Sequence, residues 1–174
     1  AGFRSEGDRI ILLGQSRNEI NGSEYLSSWH GILGGDAPTI DLEEEHALHR
    51  LLLTLIRNGQ VHSAHDVSDG GFAVSLAECC FLGQEHIGAT VELPVGDFRR
   101  DALYFGESQS RVLISCSPDN AATILAHATE AGVAAIDIGV TGGSHLRING
   151  DVDIEIERLA DAHSNALEEL LEKV

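Results

Sequence analysis

Residues 61–82 read VHSAHDVSDGGFAVSLAECCFL. Residues 61–65 form a short strand candidate. Asp66-Val67-Ser68-Asp69-Gly70-Gly71 then turns the chain sharply, and residues 72–82 continue as a helix. A glycine pair at such a junction permits a tight turn and close approach of backbone to a ligand. The helix that follows offers free N–H groups and a positive dipole end, which suit a phosphate or carboxylate. Glycines at a strand–helix turn also serve purely structural ends, and local sequence leaves both readings open.

Strands and helices alternate in both directions from this junction. Upstream, RIILLG at residues 9–14 is an apolar run closed by glycine, the pattern of a buried strand. Ser23 precedes Glu24-Tyr25-Leu26 and is placed to cap a short helix, and the glycine-rich residues 31–39 read as a loop. Asp41 is an N-cap candidate for a helix over 41–57, with Glu43, Glu44 and Glu45 at its positive dipole end. Leu48, Leu51, Leu52, Leu55 and Ile56 give that helix one apolar stripe, and Gly59 ends it. Downstream, strands are expected at 87–93, 111–117, 134–140 and 145–148, with a short extended piece at 154–156. Helices are expected at 119–131 and 158–173. The last carries Leu159, Ala162, Ala166, Leu167, Leu170 and Leu171 on its buried side. The reading is an α/β fold, an α+β sandwich in which helices cover a mixed sheet, with residues 1–174 as a single domain.

Composition limits the function classes. The chain has 174 residues, 43% of them hydrophobic, as a folded domain requires. A formal charge of −17 without a basic stripe argues against nucleic acid as a partner. No apolar run reaches the length of a membrane span, and residues 1–9 lack the apolar core of a secretory signal. The three cysteines do not form a disulfide framework and are expected to pack as small apolar residues, which points to the cytoplasm. The absence of methionine agrees with a segment of a longer chain.

Two further stretches carry polar chemistry. Residues 105–111, FGESQSR, bring Glu107, Ser108, Gln109 and Arg111 together just before a strand, where they offer both acceptors and donors. Leu13-Gly14 and NGSEYL at 21–26 form either a ligand-facing turn or a helix cap, the cap being favoured locally. Histidines 46 and 49 share a helix face, whereas 62 and 65 fall on opposite faces of a strand. No accompanying motif makes either pair a metal site. Ser63, Ser68 and Ser75 lie near His65 and Asp66, but triads are not normally assembled from neighbours in sequence.

Taken together, HDVSDGGFAVSLA (65–77), FGESQSR (105–111), RIILLG with NGSEYL, and AIDIGVTGG (135–143) followed by a long helix resemble one family. That family is the phosphoribosylformylglycinamidine synthases, and the likeness is to their final domain over nearly the whole chain. Aminoimidazole ribonucleotide synthetase, thiamine-phosphate kinase and selenophosphate synthetase share the wider superfamily but differ at the glycine turn. The resemblance implies an aminoimidazole ribonucleotide synthetase C-terminal-domain-like fold and a parent ligase of purine biosynthesis. In that reaction ATP, with Mg2+, activates the amide oxygen of formylglycinamide ribonucleotide, and glutamine-derived ammonia displaces phosphate. Cations and donors offset charge on the transferring phosphoryl group.

The resemblance places the catalytic histidine and the ATP and Mg2+ ligands in other domains. This chain is left with no catalytic residue, no metal ligand and no tightly bound cofactor of its own. The implied partners are the remaining synthase domains, a glutaminase partner or domain, and a small-molecule nucleotide substrate. A homodimer of the isolated chain through surface normally covered is also expected. Asp66, Ser68, Asp69, Gly70, Gly71, Glu107, Ser108, Gln109 and Arg111 are the ligand-cleft candidates, with Arg111 supplying the charge that balances an anion. The alternatives are an aminoimidazole ribonucleotide synthetase-like domain and a non-catalytic binding domain of the same fold.

Overall fold

In β1 (Arg9–Leu13), Ile10, Ile11, Leu12 and Leu13 are each 3% exposed or less. Side chains alternate across a strand, so a continuous apolar run requires cover on both faces. Ile10 and Leu12 join one hydrophobic cluster, and Ile11 and Leu13 join a second. The computed structural model describes residues 1–171.

A seven-stranded sheet extends from β1 in the order β2-β4-β1-β5-β3-β6-β7. Its other strands are β2 (Ser63–Asp66), β3 (Ala89–Val91), β4 (Val112–Cys116), β5 (Ala135–Thr141), β6 (His145–Ile148) and β7 (Val152–Glu155). Every pairing is antiparallel except β3 with β6. On one face, α1 (Leu42–Arg57) and α4 (Pro118–Glu130) bury Leu48, Leu51, Leu55 and Ile124 against Ile11, Leu13 and Ile114. On the other, α2 (Gly71–Phe81), α3 (Arg100–Phe105) and α5 (Ile156–Leu171) gather around Phe72, Leu76, Leu103 and Ile156. Each such side chain contributes about 1.5–3 kcal/mol on full burial.

The mixed sheet with helices on it is the α/β architecture expected from the sequence. Asp41 caps α1 as expected, accepting from the N–H groups of Glu43 at 2.8 Å and Glu44 at 3.2 Å. Cys79, Cys80 and Cys116 are buried and free. Burial pushes the Cys79 thiol up to about 12 and the Cys116 thiol to about 11, so both are inert packing groups.

Several details differ from expectation. α3 has only six residues and no side-chain cap, and therefore leaves little periodic signal. Ile56 is 48% exposed, so the α1 stripe is narrower than its sequence suggests. β2 runs through Asp66 because that residue still pairs with Val112. α5 starts at Ile156, directly after β7, and its buried side is short. Ile156 and Ala160 are buried, while Ala162, Ala166 and Leu171 are exposed. A helix of 16 residues runs about 24 Å, whereas the four-residue strands β6 and β7 beneath it span only about 13 Å. The expected burial of Leu167 and Leu170 and the helix end at Lys173 lie outside the described residues.

Candidate functional site

The β2–β4 pairing zips the two candidate loops together. Asp66 lies opposite Val112, and the Val67 N–H donates to the Arg111 carbonyl at 3.0 Å. The end of loop 66–71 and the start of α2 therefore meet loop 106–111 side by side. Gly70 and Gly71 have φ of 78° and 69°, the left-handed region that favours glycine. A Cβ at Gly71 would sit 2.6 Å from the Gly106 carbonyl oxygen and 2.7 Å from the Phe105 carbonyl carbon. The glycine pair does permit close backbone approach, but what approaches is the chain's own Phe105–Gly106 backbone.

Glu107 fills the place facing the α2 N-terminus. Its Oε1 accepts from the Gly70 N–H at 2.8 Å and from the Glu24 N–H at 2.8 Å. Glu24 opens a π-helical turn at Tyr25–Trp29, so one carboxylate oxygen serves two helical N-termini. The Ser23 hydroxyl accepts from the Leu26 N–H at 3.3 Å, the capping role expected for it. α2 itself has no side-chain cap. Ser68 contributes its carbonyl to the Gly71 N–H at 2.9 Å, so neither Asp66 nor Ser68 caps α2 through its side chain.

Arg111 is turned inward rather than toward an anion on the shared surface. It is 3% exposed, and its guanidinium donates to the Ser108 carbonyl at 2.8 Å, the Gly106 carbonyl at 2.7 Å and the Ser16 hydroxyl at 3.2 Å. Burial pulls its pKa down to about 10, against the opposing pull of Glu19 and Glu107. It stays charged at neutral pH and braces the loop. Ser108 is also buried, and its hydroxyl accepts from the Arg17 N–H at 3.1 Å. Asp66, Ser68, Asp69 and Gln109 remain exposed, and Gln109 bonds only as far as the Glu107 carbonyl, at 3.1 Å. The nine candidates thus divide into an exposed edge of four, the half-buried Glu107, and a buried brace formed by Gly70, Gly71, Ser108 and Arg111.

Residues 16–25, running from β1 into the π-helical turn, complete this brace. The Tyr25 ring stacks on Phe105 with centroids 4.7 Å apart and an interplanar angle of 4°. Ser16, Arg17 and Glu24 make the contacts described above. NGSEYL marks the segment in sequence, but nothing local indicates which loop it touches.

Nearby titratable groups have separate partners. His65 Nδ1 lies 2.7 Å from the Asp66 carbonyl oxygen, and its Nε2 is 3.3 Å from Glu78. His62 Nδ1 meets the buried Asp8 at 2.7 Å, and His49 meets Glu45 at 2.8 Å. Ser63 bonds to Ser115 at 2.7 Å rather than to a histidine. Among the described residues, no group of three or more His, Cys, Asp or Glu is placed to hold a metal ion. No helix among them is long and apolar enough to cross a membrane.

Residues 5–150 match the family model described as "AIR synthase related protein, C-terminal domain". The chain is 40% identical over 98% of its length to the phosphoribosylformylglycinamidine synthase subunit PurL of Anaeromyxobacter sp. strain Fw109-5. It is 47% identical over 86% of its length to the PurL of Moorella thermoacetica. It spans only 23% and 20% of those two proteins. Among solved structures, Thermotoga maritima PurL complexed with FGAR superposes with a TM-score of 0.77 at 20% identity, over 92% of this chain and 29% of that one. Thiamine-monophosphate kinase of Stenotrophomonas maltophilia gives 0.58 at 20% identity, over 86% and 52%. At that identity the two structures speak for the fold alone.

Proposed function

The chain belongs to the AIR synthase related protein C-terminal domain family, and from that premise we propose that it is one domain of a cytoplasmic phosphoribosylformylglycinamidine synthase. The observation that carries this reading is 40% identity with a PurL subunit over 98% of the chain. The parent protein is an ATP-dependent ligase of purine biosynthesis. It converts formylglycinamide ribonucleotide, with ammonia from a glutaminase partner or domain, to the amidine.

ATP and Mg2+ do not fit the described residues. The Gly70 N–H is already taken by Glu107, Arg111 is committed to backbone carbonyls, and no metal-ligand set is gathered. No step of the reaction is assigned to these groups. The chain's part is to hold a rigid wall beside the chemistry. Its exposed edge of Asp66, Ser68, Asp69 and Gln109 is the side offered to a nucleotide ligand, whose remaining contacts come from the other synthase domains.

The test is an amidine-forming assay on the full reading frame that contains this sequence, with ATP, Mg2+, ammonia and formylglycinamide ribonucleotide. Amidine is expected from the full product, and none above a no-protein control from residues 1–174 alone. A folded full product that makes no amidine, or turnover by residues 1–174 alone, would overturn the proposal.

A further inference from the structure

Residues 14–41 leave the end of β1 and return to the start of α1 with only one π-helical turn between them. The base of this segment is closed by Glu19, whose Oε1 accepts from the Thr39 N–H at 3.2 Å and from the Thr39 hydroxyl. Burial raises the Glu19 carboxyl, but the Thr39 hydrogen bonds and the charge of Arg17 bring it below its ordinary value. A second pair of contacts, Arg17 with Ser108 and Ser16 with Arg111, fastens the outgoing limb of the segment. Beyond that base, residues 20–33 run out over the protein surface. They carry Trp29 at 79% and Leu33 at 88% exposure.

Ser23 is buried at the root of that outer part, and a hydrogen bond and a ring stack tie the part to one stretch of the body. The Glu24 N–H donates to Glu107 Oε1, and the Tyr25 ring stacks on Phe105. The same Glu107 oxygen takes the Gly70 N–H at the start of α2. We propose that Glu107 is the latch of a strap formed by residues 20–33, coupling the strap to the α2 glycine turn through one shared oxygen. The strap lies closed while Glu107 accepts from both N–H groups, and it opens as a unit about the Glu19–Thr39 base when that acceptor is lost. This goes beyond the ligand-facing role that the family resemblance implies for Glu107. It assigns the residue a conformational role within the chain, independent of any bound nucleotide.

The experiment is amide hydrogen exchange on the chain carrying Glu107→Ala, read residue by residue. A hydrogen bond to a charged group holds its partner by more than one factor of ten, because the anion strengthens the donor's attraction. The Glu24 and Gly70 amides should therefore exchange at least about tenfold faster. The Ser27, Gly31 and Ile32 amides, bonded within the strap, should follow. The β1 and β4 amides and the Arg17 amide at the base should keep their protection. Trp29, the chain's one tryptophan, gives an independent readout, and its fluorescence anisotropy should fall. Glu107→Gln retains an oxygen acceptor and should restore most of the protection. If Glu107→Ala does not fold, Tyr25→Ala tests the same device from the other contact. It should loosen the strap amides while leaving the Gly70 amide protected. Unchanged strap exchange in Glu107→Ala would overturn the latch. So would a uniform rise that includes β1 and β4, because Glu107 would then be a general stability residue.

Discussion

Loops 66–71 and 106–111 lie side by side, joined by the same pair of strands, yet they use their side chains in opposite ways. The first keeps Asp66, Ser68 and Asp69 in solvent and places only the apolar Val67 and its glycines against the body. The second turns Ser108 and Arg111 inward and leaves Gln109 outside. A loop that must itself be braced consumes its donors on its own carbonyls, as Arg111 does with Gly106 and Ser108. A loop pinned through glycine backbone keeps its side chains for something else. Polar composition alone does not separate these cases.

The largest effect expected is at the contact between the loops. Gly71→Ala places a Cβ 2.6 Å from the Gly106 carbonyl oxygen at a φ of 69°. The left-handed backbone costs about 1–2 kcal/mol, and forcing the neighbouring backbone aside costs about 1–3 kcal/mol more. A loss of about 3 kcal/mol is expected in urea unfolding. Gly59→Ala is the control, with a similar φ of 65° and nothing within 4 Å of its Cβ. It should lose only the backbone part, about 1–2 kcal/mol. Equal losses at both positions would mean that the loops are not in firm contact.

Arg111→Ala comes next. It leaves the Gly106 and Ser108 carbonyls without their donors, at about 1–3 kcal/mol for each buried group left unsatisfied. The charge disappears with them, and its desolvation cost is relieved. The net loss should be about 2 kcal/mol. Arg111→Met sharpens the point by filling the space without donors. If Met matches wild type in unfolding midpoint and slope, the guanidinium contributes only volume, and the brace reading fails.

The backbone order of this fold was legible where the physics is local. RIILLG required cover on two faces and has it. Asp41 announced a cap and provides one. The α5 stripe was misleading because periodicity reports which side of a helix is apolar, and nothing in it reports how far the sheet beneath extends. The site was legible as a set of residues and not as directions. That Glu107 would meet Gly70 follows from the β2–β4 register, in which Asp66 pairs with Val112 across the 45 intervening residues 67–111, and neither loop signals it. Likewise, Tyr25 meets Phe105 across 80 positions, and neither residue signals the other.

The smallest effect expected is on the exposed edge, and there the comparison is tested most directly. Asp69 and Gln109 are both exposed, and the one hydrogen bond recorded for Gln109 runs to the carbonyl of Glu107, two positions away. Substitutions at such positions usually fall within about 0.5 kcal/mol, because water already satisfies the group that is removed. Asp69→Ala and Gln109→Ala should therefore unfold with wild-type midpoints. The two loops predict different secondary consequences all the same. If the exposed edge is the side offered to nucleotide, these variants weaken binding of formylglycinamide ribonucleotide to the full synthase while the fold is unchanged, whereas Arg111→Ala lowers stability first and affinity only as a result. Isothermal titration paired with unfolding separates the two patterns. Stability and affinity falling together at Asp69, or neither moving there while Arg111→Ala loses affinity at full stability, would reverse the assignment of open edge and buried brace.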